Sequence, residues 1–466
     1  MKTLRRRTAW ILILAVVLAS IPVFSGAATE EFMKIGLRYG SSETTATLTS
    51  AGGFVTGRAG DDQITPDGTD LGDVTQVTLR LSGGKVLVTD SSGNQLAVLS
   101  GDGTECIAAA DYASGGTLRF SGSAYRGGII PYINPSGQMN IINYLSVDDY
   151  VRGVVHSEIG QSSHIEAIKA QAVAVRSYAV ANKGTHSAQG FDMCATTHCQ
   201  VYSGADSEYE STNRAVDETA GELIYYEGEP VAAYYFANSG GHTENSEDAW
   251  ATALGYLRGI VDEYSPEYTW TVRLTRAELN NTFASRGLGT VESVTIDSVN
   301  ESGYAASVTV NGSRDSVTYT KENIRSALGM SLRSRNFTFD TEGGILTGGG
   351  TAQPAGGTYY GLSSLGTGTL GQSVSVLSAG GVTVKSLDGM TALGSGGTTS
   401  VLSTASSGTS GGTMVMFDDD SDVLIINGKG YGHGVGMSQQ GAQQMANLGF
   451  TYRQILQYYY TGIEVR

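Results

Sequence analysis

The period of the hydrophobic pattern changes partway along the chain. From about Glu30 to Ser136, apolar and polar residues alternate in short runs closed by Gly, Asp and Asn, as in Val77-Thr-Leu-Arg-Leu and Lys85-Val-Leu-Val-Thr. Alternation with period two predicts half-buried strands, and Ser82, Gly83 and Gly84 between these runs predict a hairpin turn. At Leu145 the spacing turns helical. Ser146, with Asp149 three residues on, predicts a short helix through Tyr150, Val151 and Val154, followed by a loop from Ser157 to Gln161. Ser163 followed by Glu166 reads as a capping box. Ile165, Ile168, Ala172, Val175 and Ala179 then recur at three and four, predicting a helix with one buried face that Gly184 ends. Beyond it the pattern predicts a helix near Ser207 to Ala220. A hairpin is expected to pair Glu222-Leu-Ile-Tyr-Tyr with Val231-Ala-Ala-Tyr-Tyr-Phe. Two short C-terminal helices are split at Gly449.

Between about Thr341 and Gly412 the chain is dominated by Gly, Ser and Thr. Ser373-Val-Ser-Val-Leu and Val382-Thr-Val still alternate, which predicts a hairpin inside an inserted β module with flexible flanks. Strand-like Phe337-Thr-Phe before the insertion and Val423-Leu-Ile-Ile after it are expected to pair, making both flanks parts of one domain.

Composition narrows the function. The 466 residues carry a formal net charge of -16, so the basic footprint of a nucleic-acid binder is absent and anionic lipid surfaces offer no attraction. A neutral polymer suits this charge better than a polyanion. Lys2, Arg5, Arg6 and Arg7 precede an apolar run from Ala9 to about Phe24 and small residues Ser25 to Ala28. That is the pattern of a secretory signal; an uncleaved signal anchor is the alternative. Either places the remainder outside the cytoplasm. The three cysteines, an odd number, argue against a disulfide framework.

Some residues stand out as candidates for chemistry. Glu158, between two helices, can be held partly desolvated at a groove, which would raise its pKa and suit it to protonate a leaving oxygen. The plain alternative is a solvated or helix-capping carboxylate. His186, Cys194, His198 and Cys199 supply the two imidazoles and two thiols of a structural zinc site; a Cys194–Cys199 disulfide and unliganded residues are the other readings. His433, flanked by glycines, faces a groove or merely packs in a tight turn. The clustered tyrosines, Tyr225, Tyr226, Tyr234, Tyr235 and Tyr458 to Tyr460, suit sugar stacking but are assigned to the core.

The ordered blocks Val154-Val-His-Ser-Glu-Ile, Glu166-Ala-Ile-Lys-Ala-Gln-Ala-Val-Ala-Val-Arg-Ser-Tyr-Ala, Cys199-Gln-Val-Tyr-Ser-Gly, Tyr235-Phe-Ala-Asn-Ser-Gly-Gly-His-Thr-Glu-Asn-Ser-Glu-Asp-Ala-Trp and Gly430-Tyr-Gly-His-Gly-Val-Gly-Met-Ser-Gln-Gln-Gly-Ala carry a resemblance. The chain resembles the stage II sporulation protein D / amidase-enhancer family of bacterial cell-wall proteins. The resemblance implies an α+β fold, a mixed β-rich domain with helices around a glycan-binding groove; the inserted small Gly/Ser-rich β module is not part of the family's usual pattern. The implied organisation is a signal segment at 1–28, a β-rich part at 29–139, a core at 140–340 and 414–466, and an insertion at 341–413. It also implies a lytic transglycosylase acting on peptidoglycan glycan strands stripped of stem peptides, with Glu158 as catalytic acid/base and Ile159 in place of the family's methionine. Lys169, Gln171, Arg176 and Tyr178 would line or support the groove, and Ser239, His433, Ser438 and Gln439 join them as expected substrate-binding residues. Some members bind zinc through a matching loop; Cys194, His198 and Cys199 fit it, and His186 lies at a different offset. A non-catalytic enhancer of a cell-wall amidase is the competing reading. Glu244, Glu247 and Asp248 are candidates for a second carboxylate.

Overall fold

The computed structural model describes residues 31–60, 63–328, 332–347 and 412–466, together with strand pairings between 359 and 402. The expected signal segment and the flexible flanks of the insertion lie outside the described residues. The chain divides into two compact units, one made of residues up to 121 with 126–147, the other of 122–125 with 148–466.

Among its described residues the regular structure of the first unit is strand apart from one short turn of helix, Tyr112–Ser114. In one sheet Phe32–Arg38, Met139–Ser146, Gly128–Ile133, Glu105–Ala109, Phe54–Ala59 and Ile64–Asp70 lie side by side in that order. In another, Leu118–Phe120 is followed by Thr45–Thr49, Gln76–Ser82, Lys85–Thr89 and Gln95–Leu99. The predicted hairpin is present: Ser82 pairs with Lys85 across Gly83 and Gly84, both at positive φ, as a two-residue turn demands. Val77, Leu79, Val86 and Val88 are its buried residues, so the alternation in sequence is the alternation between core and solvent.

The second unit begins its helical layer with α1, Val147–Ile159, and α2, Ile165–Ala181. Two expectations fail here. Glu158 is not in a loop but in the last turn of α1. The helix runs on to Gly160, which sits at φ 78, while the Ser163 hydroxyl donates to the Ile159 carbonyl at 2.6 Å. The cap of α2 is His164 rather than Ser163, its Nδ1 accepting the Glu166 amide at 3.3 Å. Glu166, expected in a capping box, instead pairs with Lys169 at 2.9 Å and accepts the Tyr452 amide at 2.8 Å.

Helix α2 is buried on nearly all sides, from Ala167 through Ser177, rather than on one face. Small residues make this possible: Ala167, Ala170, Val173 and Ala174 let other elements approach closely. These include α3, Glu210–Asp217, and the C-terminal helices α4, Gln439–Asn447, and α5, Tyr452–Tyr459. Gly449, at φ 93, lies between α4 and α5 as expected.

The expected long hairpin is shorter. Ile224–Tyr226 pairs with Glu229–Pro230 only, and the ladder ends where the Val231 amide meets the Ile224 carbonyl. Tyr235–Phe236 leaves that sheet and pairs in parallel with Met437–Ser438. The other edge of Ile224–Tyr226 is taken by Glu464–Val465.

A β layer completes the unit. Val423–Lys429 lies between Thr269–Thr275 and Phe337–Glu342, with Phe337 opposite Gly428 and Glu342 opposite Val423. The pairing predicted across the insertion is therefore present. Trp270, Phe283, Val294, Phe337, Phe339 and Ile426 belong to its core. Within the insertion Ser373–Ser378 pairs antiparallel with Gly381–Ser386, the hairpin expected from the alternation. The fold is α+β and rich in strand.

Candidate functional site

Glu158 opens onto a groove of about 330 Å³. Tyr178 of α2 lines it, as do Thr197, Cys199, Gln200 and Val201 of the following loop, Tyr234 and Tyr235, and His433. The aromatic wall is interlocked. Tyr178 meets Tyr234 edge-on at 5.4 Å, Tyr234 packs on Trp250 at 4.6 Å, and Trp250 packs on His433 at 5.0 Å. Tyr234 and Tyr235, assigned to the core from sequence, are thus groove residues, whereas Tyr459 and Tyr460 are buried.

A polar contact from α4 reaches Glu158. Gln439, the first residue of α4, donates Nε2 to Glu158 Oε2 at 3.5 Å and to Gln171 Oε1 at 3.4 Å. Tyr235 lines the same groove and favours the ionised carboxylate. Burial nevertheless dominates and raises the Glu158 pKa above its ordinary value, with Tyr235 and Gln439 pulling the other way. A carboxylic acid protonated into a higher pH range is what a general acid needs. Beneath it, Gln171 is fully buried and its Nε2 has no partner among the described residues.

His433 is held neutral. Its Nε2 lies 3.0 Å from the Tyr235 carbonyl and its Nδ1 accepts the Val435 amide at 3.1 Å. Burial brings its pKa down to about 4. The flanking glycines are required: Gly432 and Gly434 sit at φ +118 and +87, and a Cβ would meet Phe236 Cβ at 2.6 Å and the Tyr304 ring at 2.9 Å. His433 thus lines the groove and also anchors the backbone of Tyr235.

The other sequence candidates fall elsewhere. Lys169 bridges Glu166 and Glu218, at 2.9 and 2.7 Å. Arg176 is buried, its guanidinium held by Asp148 at 2.6 Å and by the Glu222 carbonyl at 3.2 Å. Ser438 is buried and caps α4 through the Gly441 amide. Ser239 is buried and accepts the Gly241 amide at 3.1 Å. None of these lines the groove; they shape the elements that do. Nor do the other carboxylates. Glu244 is buried against Arg335 and Asn300, Glu247 pairs with Arg258, and Asp248 accepts from Asn245. Among the described residues lining the groove, Glu158 is the sole carboxylate.

His186, Cys194, His198 and Cys199 converge, their donor atoms all within 4.8 Å of one another. His186 Nε2 lies 3.3 Å from His198 Nδ1 and 3.4 Å from Cys199 Sγ, and His198 Nδ1 lies 3.4 and 3.7 Å from Cys199 and Cys194 Sγ. Both thiols are free. Burial opposes the Cys194 thiolate, but hydrogen bonds with Thr196, Cys199 and His198 prevail and bring its pKa down to about 6.

Sequence reasoning missed one feature. Gln200, next after Cys199, donates Nε2 to the Tyr235 hydroxyl at 3.0 Å and accepts from the Tyr150 hydroxyl at 3.1 Å. From sequence Tyr150 reads only as a helix residue, Gln200 only as a member of a matching block, and Tyr235 as a core tyrosine of a hairpin. Periodicity does not tell which end of a tyrosine meets a polar partner.

Much of the chain is similar to known proteins. The family described as "SpoIID: Stage II sporulation protein" matches residues 135–226, a stretch that holds Glu158, all of α2 and the Cys/His loop. The chain is 29% identical to an uncharacterised protein of Brachyspira hyodysenteriae, over 74% of this chain and 73% of that one. It is 29% identical to the amidase enhancer of Bacillus subtilis, over 67% of this chain but 39% of that longer protein. It is 24% identical to the stage II sporulation protein D of Bacillus subtilis, over 70% and 75% of the two chains.

Proposed function

We propose that this chain, which belongs to the stage II sporulation protein D / amidase-enhancer family, is a lytic transglycosylase that cleaves peptidoglycan glycan strands outside the cytoplasm. The observation that carries the reading is the single carboxylate in an aromatic groove. Glycosidases that hydrolyse by the usual routes place two carboxylates about the scissile bond. One suffices if the nucleophile belongs to the substrate. Glu158 protonates the glycosidic oxygen, and the 6-hydroxyl of the same muramyl sugar attacks the anomeric carbon. The resulting carboxylate takes the hydroxyl proton, leaving a 1,6-anhydro end. Attack within one sugar replaces an encounter with water by positioning, which the rigid groove provides. Tyr178, Tyr234 and Tyr235 offer ring faces or edges to sugar, and glycan without stem peptides is the polymer proposed to fit.

The Cys/His cluster fits a structural zinc ion. Donors at about 2.0–2.3 Å around a tetrahedral ion stand roughly 3.3–3.8 Å apart; the four separations of 3.3 to 3.7 Å fall in that range, and all the donor atoms lie within 4.8 Å of one another. His186, Cys194, His198 and Cys199 would close the coordination sphere, so the ion would stiffen the loop that carries Cys199 and Gln200 rather than meet substrate.

The test is product mass. Purified glycan strands incubated with the protein are expected to release fragments ending in anhydro-muramyl sugar, and Glu158→Ala, still folded, is expected to release none. The amidase-enhancer relative favours a second reading, in which the chain binds wall and activates an amidase. Wild type that makes no anhydro product yet stimulates an amidase would establish that reading instead.

A further inference from the structure

We propose that Tyr235 is a positioning residue for Glu158, and that Gln200 and Tyr150 aim it. The proposal rests on the acid role given to Glu158 above, but its geometry is independent of that role. Tyr150 lies within α1 and is fully buried. Its hydroxyl donates to Gln200 Oε1 at 3.1 Å, and Gln200 Nε2 donates to the Tyr235 hydroxyl oxygen at 3.0 Å. Gln200 is itself only 4% exposed, so its amide is held between the two phenols.

A carboxamide has an acceptor end and a donor end, and a phenol has one hydrogen. With Gln200 donating to the Tyr235 oxygen, the hydrogen of Tyr235 is left for another acceptor. Glu158 is the carboxylate that shares its groove. Tyr150 donates to Gln200 and Gln200 to Tyr235, and on this proposal the Tyr235 hydrogen goes to the carboxylate. Gln439 holds the carboxylate from a second element at 3.5 Å. The Tyr235 backbone is separately fixed through its carbonyl by His433, at 3.0 Å. Both the main chain and the hydroxyl of Tyr235 are thus set by other residues before any ligand enters.

The consequence is orientation. Glu158 must direct one oxygen at a glycosidic oxygen and later at a sugar hydroxyl. A carboxylate pinned by two donors keeps its remaining acceptor position on the groove side. Misplacement by about 1 Å can cost about 100-fold in rate. The same relay links the loop of His186 to Cys199 with the site, because Gln200 directly follows Cys199.

The experiment reads Glu158 directly. Protein labelled with 13C at glutamate Cδ gives a Glu158 signal, assigned by its loss in Glu158→Gln. At neutral pH, Tyr235→Phe is expected to shift that signal, and Gln200→Leu to shift it in the same direction by less. With glycan strands as substrate, Tyr235→Phe is expected to lower kcat about 10- to 100-fold with KM changed less than threefold. An unmoved Glu158 signal in folded Tyr235→Phe overturns the proposal. So does a Tyr235→Phe variant whose loss lies wholly in KM. If Tyr235→Phe does not fold, an unmoved signal in Gln200→Leu overturns it equally. Absence of anhydro products from wild type would overturn the lyase reading alone, because the labelled signal needs no turnover.

Discussion

Gln439 donates its side-chain amide to the Glu158 carboxylate at 3.5 Å, across 281 positions of sequence. The two lie on different helices, one at the C-terminal end of α1 and one at the N-terminal start of α4. Residues on either side of the Gly/Ser-rich insertion thereby meet at one carboxylate.

That contact is long for a hydrogen bond, so its removal should be mild. Gln439→Met is expected to lower kcat a few-fold, in line with about 1 kcal/mol for a typical hydrogen bond. Gln439→Glu replaces the amide donor by a second carboxyl group that competes with Glu158 for the proton, and is expected to be more damaging. Comparison of kcat for the two variants on glycan strands checks the order.

Glu158→Gln keeps the shape and the groove but removes the transferable proton. General acid–base groups contribute about 10²- to 10⁴-fold. The expected outcome is a loss of that size in anhydro-product formation with an unchanged melting temperature. Retained activity would remove Glu158 from the chemistry.

The pH profile follows from burial. Glu158 must be protonated to act as the acid, and desolvation raises its pKa above the ordinary carboxylate value. Activity should therefore be high below that raised pKa and fall as pH rises through it. The alkaline limb of kcat against pH is expected above the range of a solvated carboxylate.

Loss of the thiols should remove metal and rigidity together. Elemental analysis of purified protein is expected to give about one zinc per chain, absent from the Cys194→Ser/Cys199→Ser variant. That variant should also melt at a lower temperature. Metal-free, fully folded wild type would contradict the zinc site.

Glu244 and Arg335 form a buried pair away from the groove, both fully inaccessible. Burial outweighs Arg335 and pushes the Glu244 pKa up to about 7. Above that pH Glu244 is ionised and depends on Arg335; below it the carboxyl is protonated and the dependence weakens. Arg335→Met is expected to cost about 3–5 kcal/mol at pH 8, as for other broken buried pairs, and less at pH 5. Urea unfolding at the two pH values decides it.

Much was legible before the fold was known. The Val77–Thr89 hairpin, the strand pair of Phe337 with Val423, the hairpin within the insertion and the C-terminal helices all follow from local alternation and turn residues. Errors gathered where tertiary contact overrode local pattern. Glu158 reads as a loop residue because Gly160 and Ser163 punctuate the sequence, yet the helix holds until Gly160. Helix α2 reads as amphipathic, yet its alanines let neighbouring elements close around it. Tyr235 continues the apolar run of a hairpin, yet it pairs with Met437.

The sequence by itself determined the periods, the turns, the acidic charge, the ordered blocks and the candidacy of Glu158, because each is a property of neighbours along the chain. Only the tertiary structure decided what surrounds that carboxylate. Burial sets its pKa, and burial is made by residues far apart in sequence. Hydrogen bonds have direction, so Tyr235, Gln200 and Gln439 could be recognised as its partners only once their donor and acceptor ends were placed in space.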